Sequence, residues 1–239
     1  MLRYVLKRLL LMIPVLIGVS FIVFTIMSMT PGDPGTIILG NNATKEAVEE
    51  MNRQLGYYDP LLVKYGRYLL GIVQGDFGTS YRSNTPVFTE IFARFPNTLI
   101  LASCAIVISV IIGVPIGIIS AVKQYSVLDY VGTVVAMFLA SVPQFWLGLV
   151  SLLIFAVNLN LLPSTGNESW ENYILPVLTL ALPCAAKNLR LTRSTMLETI
   201  RADYIRTAKA KGVPPKKVIW KHALQNALMP IITNIGINF

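Results

Sequence analysis

The sequence predicts an all-α fold, a polytopic helical membrane protein, on three observations. Hydrophobic residues fill 54% of the 239 positions and charged ones only 13%, with a mean hydropathy of +0.62. A soluble domain carries about twice that charge. Long apolar runs recur along the chain, each near the length a helix needs to cross the hydrocarbon core. The net charge of +8 is concentrated: ten of the twenty Lys and Arg lie between Lys187 and His222, against only Glu198 and Asp203. Elsewhere cations and carboxylates cancel.

The first run, Leu9–Met29, follows Arg3, Lys7 and Arg8. It is longer than a secretory h-region and no small-x-small site closes it, so it reads as an uncleaved signal anchor with its basic end inside. Residues 29–98 then form a region with six basic and seven acidic residues. Within it Thr44 caps a predicted helix with Glu46 in its first turn, Val48, Met51 and Leu55 on one face, and Gly56 as terminator. Two further spans are expected at Leu99–Val122 and Val131–Val157. A fourth run, Ile174–Ala186, is short and carries Pro176 and Pro183. Charge assigns it as a span, because the connection before it has no Lys or Arg and the one after it has ten. A fifth run begins near Ala223 and is still apolar at Phe239. The expected topology is N-terminus inside, 29–98 outside, 123–130 inside, 158–173 outside and 187–222 inside.

Several classes of function are excluded by residue content. The basic excess is confined between spans, so nucleic-acid binding is not expected. Cys104 and Cys184 sit in apolar runs and read as small hydrophobes, not as a disulfide or metal pair. His222 is the single histidine, so no metal site or cofactor is expected and no catalytic constellation is present. No acidic residue falls inside the four spans, which argues against a proton-coupled secondary transporter. Asp76-Phe77-Gly78 spells a kinase magnesium motif, but no Gly-rich or catalytic loop accompanies it. Gly113-Val114-Pro115-Ile116-Gly117 is a small-xxx-small pattern that favours close helix packing over a hinge. Ser141, Gln144 and Asn158, polar residues in or near the spans, can line a pathway or form interhelical hydrogen bonds.

The basic segment itself holds a short predicted helix, Tyr204–Lys211, capped by Asp203, stopped by Gly212 and blocked by Pro214-Pro215. Two turns are too few to persist alone in water, so the helix must pack on something. Ala208 and Ala210 permit close approach and Tyr204 offers an aromatic anchor. The alternative is a solvated connector that only enforces topology. Beyond it Trp220 sits at interface depth among Lys216, Lys217, Lys221 and His222.

The run Arg190-Leu191-Thr192-Arg193-Ser194, Met196-Leu197-Glu198, Asp203 through Gly212, and His222-Ala223 to Pro230 resembles the permeases of peptide/nickel ABC importers. Further matches are Pro31-Gly32-Asp33-Pro34, Gly75 to Ser80, and Arg94-Phe95-Pro96-Asn97-Thr98-Leu99. The long segment after the first span is similar to that of the first of the two permeases in such systems. The resemblance implies a type I ABC importer transmembrane fold, with an anchor helix at 1–30, an external region at 31–94 and the permease core at 95–239. It implies a second homologous permease, two cytoplasmic ATPases, an external binding protein and a cell-membrane location. It makes Asp203, Tyr204, Arg206, Thr207, Ala208, Lys209, Lys211 and Gly212 the ATPase-coupling residues. Arg206-Thr207-Ala208 stand where the general importer signature has Glu-Ala-Ala, a departure typical of the peptide/nickel branch. No P-loop occurs in the chain, so ATP hydrolysis belongs to separate subunits. The resemblance also implies that the natural chain continues past Phe239 through the rest of a span and one more helix.

Overall fold

The computed structural model describes residues 2–30, 32–40 and 42–239, with the side chain of Leu2 left aside. Pro31, which opens one of the motifs above, lies outside the described residues. Apart from one isolated bridge between Thr79 and Pro86, the described residues form helices and turns. The chain divides into two compact units, Met1–Arg94 and Phe95–Phe239.

In the first unit α1 (Leu2–Ser28) is a single apolar helix. It meets α4 (Leu61–Val73) through Tyr65, whose hydroxyl lies 2.9 Å from the Ile17 carbonyl and 2.8 Å from Ser20 Oγ. The rings of Phe21 and Phe24 pack on the same tyrosine, at 5.0 and 5.5 Å between centroids. Between them, α2 (Pro34–Leu39) is capped by Asp33, and α3 (Lys45–Gln54) is capped by Thr44 as its sequence predicts. Gly56 takes φ +68 at the end of α3. The buried residue on the inward side of α3 is polar. Asn52 accepts the Gly35 amide at 2.8 Å and donates to Asp33 Oδ1 at 3.0 Å, which seats α2 on α3. The Asp76-Phe77-Gly78 motif has a local explanation: Asp76 Oδ1 accepts the Gly78 amide at 2.8 Å in a side-chain-closed turn.

α5 (Val87–Val122) is 36 residues long. In the second unit its later turns lie against α8 (Glu171–Arg201), which also contacts α6 (Val127–Ser141), α7 (Gln144–Ser151) and α11 (Leu224–Ile237). The contacts are made with small residues. Ala136, Ala181, Ala185 and Ala186 are buried, and so are Gly113 and Gly117. A methyl group on Gly113 would lie 2.5 Å from the Ala185 carbonyl, and one on Gly117 2.7 Å from that of Leu189. The small-xxx-small pattern is therefore a packing surface. A polar chain crosses the same layer: Asn234 donates to Asn188 at 2.9 Å, and Asn188 donates to Ser109 at 3.2 Å.

Two expectations are corrected. Val131–Val157 is not one straight span. α6 ends at Ser141, α7 starts at Gln144 and runs on as π-helical turns over Leu152–Asn158, and the two arms meet at 98°. Pro143 supplies the break, because it lacks an amide hydrogen and pushes Val142 into the extended region, at φ −75 and ψ 128. The segment from Lys187 is likewise not a loop at first. α8 continues without interruption to Arg201, since neither Gly nor Pro occurs after Pro183 to stop it. Among the described residues three helices, over Arg3–Ser28, Val87–Val122 and Glu171–Arg201, are long and apolar enough to cross a bilayer, and the bent pair makes up to four.

Candidate functional site

Ala202 makes the joint from which the site is built. It leaves helical conformation at φ −68 and ψ 150, and the chain turns there from α8 into α9 (Asp203–Ala210). The expected cap is thus one residue late. Asp203 is the first helical residue, and no side chain caps the helix. Its carboxylate reaches out to Arg206 at 3.4 Å, and its carbonyl accepts the Thr207 hydroxyl at 3.1 Å. An exposed pair of this kind adds little stability.

What seats α9 is Ile205, which is fully buried in a cluster with Met196 of α8, Ile118 and Ala121 of α5, and Val218 and Ala223 of the π-helical turns at Val218–Ala223. Burial of one such side chain is worth about 2 kcal/mol. That amount suits an eight-residue helix that cannot hold itself. Its far end is closed by hydrogen bonding. The Gly212 amide donates to the Lys209 carbonyl at 3.0 Å and the Val213 amide to that of Ala208 at 3.2 Å. Gly212 has the positive φ (+75) that this Schellman arrangement requires, and Val213 packs on the Ile205 cluster.

The outward side is correspondingly clear. Tyr204 is 45% exposed, and Asp203, Arg206, Thr207, Lys209 and Lys211 are exposed beside it, three cations against one carboxylate. Ala208 is half-buried, one turn beyond Ile205. The aromatic anchor expected at Tyr204 is therefore free for another surface, while the internal anchor is its neighbour. Ile205 escaped the sequence reading because an isolated Ile in a basic segment has no periodic partner to mark it.

Ser141 and Gln144 flank the 98° bend, and Asn158 ends the second arm. The Ser141 hydroxyl bonds its own helix at the Met137 carbonyl, 2.8 Å away. The interhelical hydrogen bonds expected of such residues come instead from Ser109, Asn188 and Asn234. A half-buried ion pair was also missed. Arg193 Nε and Nη2 donate to Asp129 Oδ1 and Oδ2 at 2.6 and 2.8 Å, joining α8 to the first turn of α6. Among the described residues no group of three His, Cys, Asp or Glu side chains could hold a metal.

Apolar helices packed through small residues, with a short basic helix set on their end, define a helical membrane protein. The chain belongs to the family described as binding-protein-dependent transport system inner membrane component, which it matches over residues 113–239, with the N-terminal region of such components matched over residues 1–102. It is similar to a glutathione transport system permease protein of Salmonella paratyphi A, 43% identical over 239 residues. That match covers all of this chain and 78% of the relative. The corresponding protein of Escherichia coli K12 is equally similar, at 43% over the same span. A dipeptide transport system permease protein of Alkalihalophilus pseudofirmus is 40% identical over 265 aligned positions, 99% of this chain and 80% of the relative. The chain is accordingly an inner-membrane permease component of an ABC importer of the peptide/nickel family, a multi-pass membrane protein that works with a substrate-binding protein and an ATPase.

Proposed function

We propose that this chain pairs with a second, homologous permease to form the translocation pathway of an importer for di- or oligopeptides or related solutes, and that α9 is its docking element for the ATPases. The supporting observation is α9 itself: a two-turn helix held by one buried isoleucine and a Schellman closure, with its aromatic and basic side chains turned away from its own chain. Two ATPase subunits supply the energy and the external binding protein supplies the solute. The relatives are named as permeases of glutathione and dipeptide transport systems, which supports the reading of a small-peptide solute.

Orientation follows from charge. At 1.5 Å per residue the 31 residues of α8 extend about 46 Å, against roughly 30 Å of hydrocarbon. About eleven residues project, and they are the ones carrying Arg193 and Arg201, with Arg190 directly before them. Cations are retained on the cytoplasmic side, so this extension, α9 and the N-terminus face the cytoplasm.

The test is substitution in α9 of the complete importer in proteoliposomes. Gly212→Val forces a β-branched residue to φ +75, at a cost of about 1–2 kcal/mol, although no neighbour crowds the site. Ala208→Glu places a charge on the half-buried flank. Both variants are expected to insert and pair with the second permease, but to lose the ATPases or their substrate-stimulated hydrolysis. Normal transport by both, with the ATPases bound, would leave the segment as a topological anchor only.

A further inference from the structure

Asp129 is the one charged side chain among the described residues that lies in the buried core, 3% exposed. Its carboxylate is saturated on one side by the Arg193 fork and accepts the Tyr125 amide at 3.0 Å as well. The Tyr125 backbone takes φ +64 to make that bond, and Ser126 Oγ accepts the Asp129 amide at 3.4 Å. Eight residues further along α8, Arg201 donates to Gln124 at 3.1 Å. The short turn between α5 and α6 is thus tied to α8 at two levels, about 12 Å apart along the helix. The upper tie is buried at its Asp129 end, and the lower one is exposed. Arg201 is followed directly by the Ala202 joint and α9.

A buried ion pair is poor evidence of stability, because desolvation consumes most of the attraction and an apolar pair often serves as well. What a fork on a carboxylate supplies is orientation. We propose that Asp129 and Arg193 are positioning residues for energy coupling: they fix the projecting end of α8 to the α5–α6 turn, so that a displacement of α9 moves these helices together and is not absorbed by bending at the end of α8. This rests on the reading of α9 as the ATPase-docking element. Without the fork, α9 still docks, but its movement reaches the spans incompletely.

The test uses the whole importer, both permeases, ATPases and binding protein, in proteoliposomes with a dipeptide as solute. The quantity read is ATP hydrolysed per dipeptide imported by assembled complex. Arg193→Lys keeps the compensating charge and removes the fork. It is expected to assemble at the parental yield while the ratio rises about tenfold, within the range ordinary for coupling between sites. A structural role alone would lower the yield of complex and leave the ratio per complex unchanged, and that result overturns the proposal. If Arg193→Lys fails to assemble, Asp129→Asn combined with Arg193→Gln removes both charges together, so that neither is left buried without its partner. A raised ratio in that assembled double variant supports positioning, and a parental ratio refutes it. If Ala208→Glu leaves ATPase binding and hydrolysis untouched in the same preparation, the docking assignment of α9 fails and the positioning role falls with it. A parental ratio in Arg193→Lys beside a disabled Ala208→Glu removes the positioning role alone.

Discussion

Gly113 faces the carbonyl oxygen of Ala185 so closely that a Cβ on the glycine would stand 2.5 Å from it. Gly117 repeats the relationship one turn later against Leu189 and Thr192, with both would-be contacts at 2.7 Å. Carbonyl oxygens and the Cβ atoms of Asn188 and Thr192 block the space, and none of these moves with a change of rotamer, so local rearrangement cannot relieve it. Gly113→Ala is expected to destabilise the second unit by about 1–3 kcal/mol, as overpacking does. Gly236→Ala, where nothing lies within 4 Å, is expected to be neutral or slightly stabilising. Thermal melting in detergent, followed by tryptophan fluorescence, separates the two. Equal melting temperatures would show that α5 and α8 are not packed through these glycines.

The neighbours Ile205 and Tyr204 have opposite assignments, one fully buried and the other 45% exposed. Ile205→Ala removes the anchor of α9, a change that costs about 2–5 kcal/mol in a packed site. Amide exchange over 203–212 is then expected to accelerate on the order of 30-fold or more. Tyr204→Ala should leave that exchange unchanged and weaken only the binding of the ATPases. Protection lost in Tyr204→Ala and kept in Ile205→Ala would reverse the inward and outward faces.

Asp33 contributes a pH dependence to the first unit. The Asn52 amide, and after it the Thr36 backbone amide, hold its carboxyl below the ordinary value of 3.8. The ionised form is the one the fold favours. Its stabilising contribution is therefore fully present above the unfolded value and is lost as pH falls through the lower, folded one. A carbon-13 titration of the Asp33 carboxyl is expected to give a midpoint below 3.8. Asn52→Leu should move that midpoint upward. A midpoint at or above the ordinary value in the parent would remove Asn52 as the tie between α2 and α3.

Much of the architecture was legible because membrane insertion is scored locally. The apolar runs, the basic segment and its Gly-Val-Pro-Pro ending each depend on residues close together in the chain. Thr44 and Gly56 bound α3 as their types require. Misreadings occurred where a local signal was outweighed. Asp203 is a good cap by type, but Ala202 had already turned the chain. A single Pro143 divided a run whose hydropathy is unbroken. Asn52 lies on a face marked by Val48, Met51 and Leu55, so its burial is visible only once Asp33 and Gly35 are set beside it.

By itself the sequence determined an all-α membrane protein with a basic, helix-bearing end, because hydropathy, charge and backbone preference are properties of contiguous residues. Only the tertiary structure decided that Ile205 faces inward, that Asn188 links Ser109 to Asn234, and that Arg193 grips Asp129 across 64 positions. Those choices depend on which helices lie within a few ångströms of one another. The close approach that sets them comes from the glycines and alanines of α5, α6 and α8, whose lack of side chain specifies no partner until the helices have met.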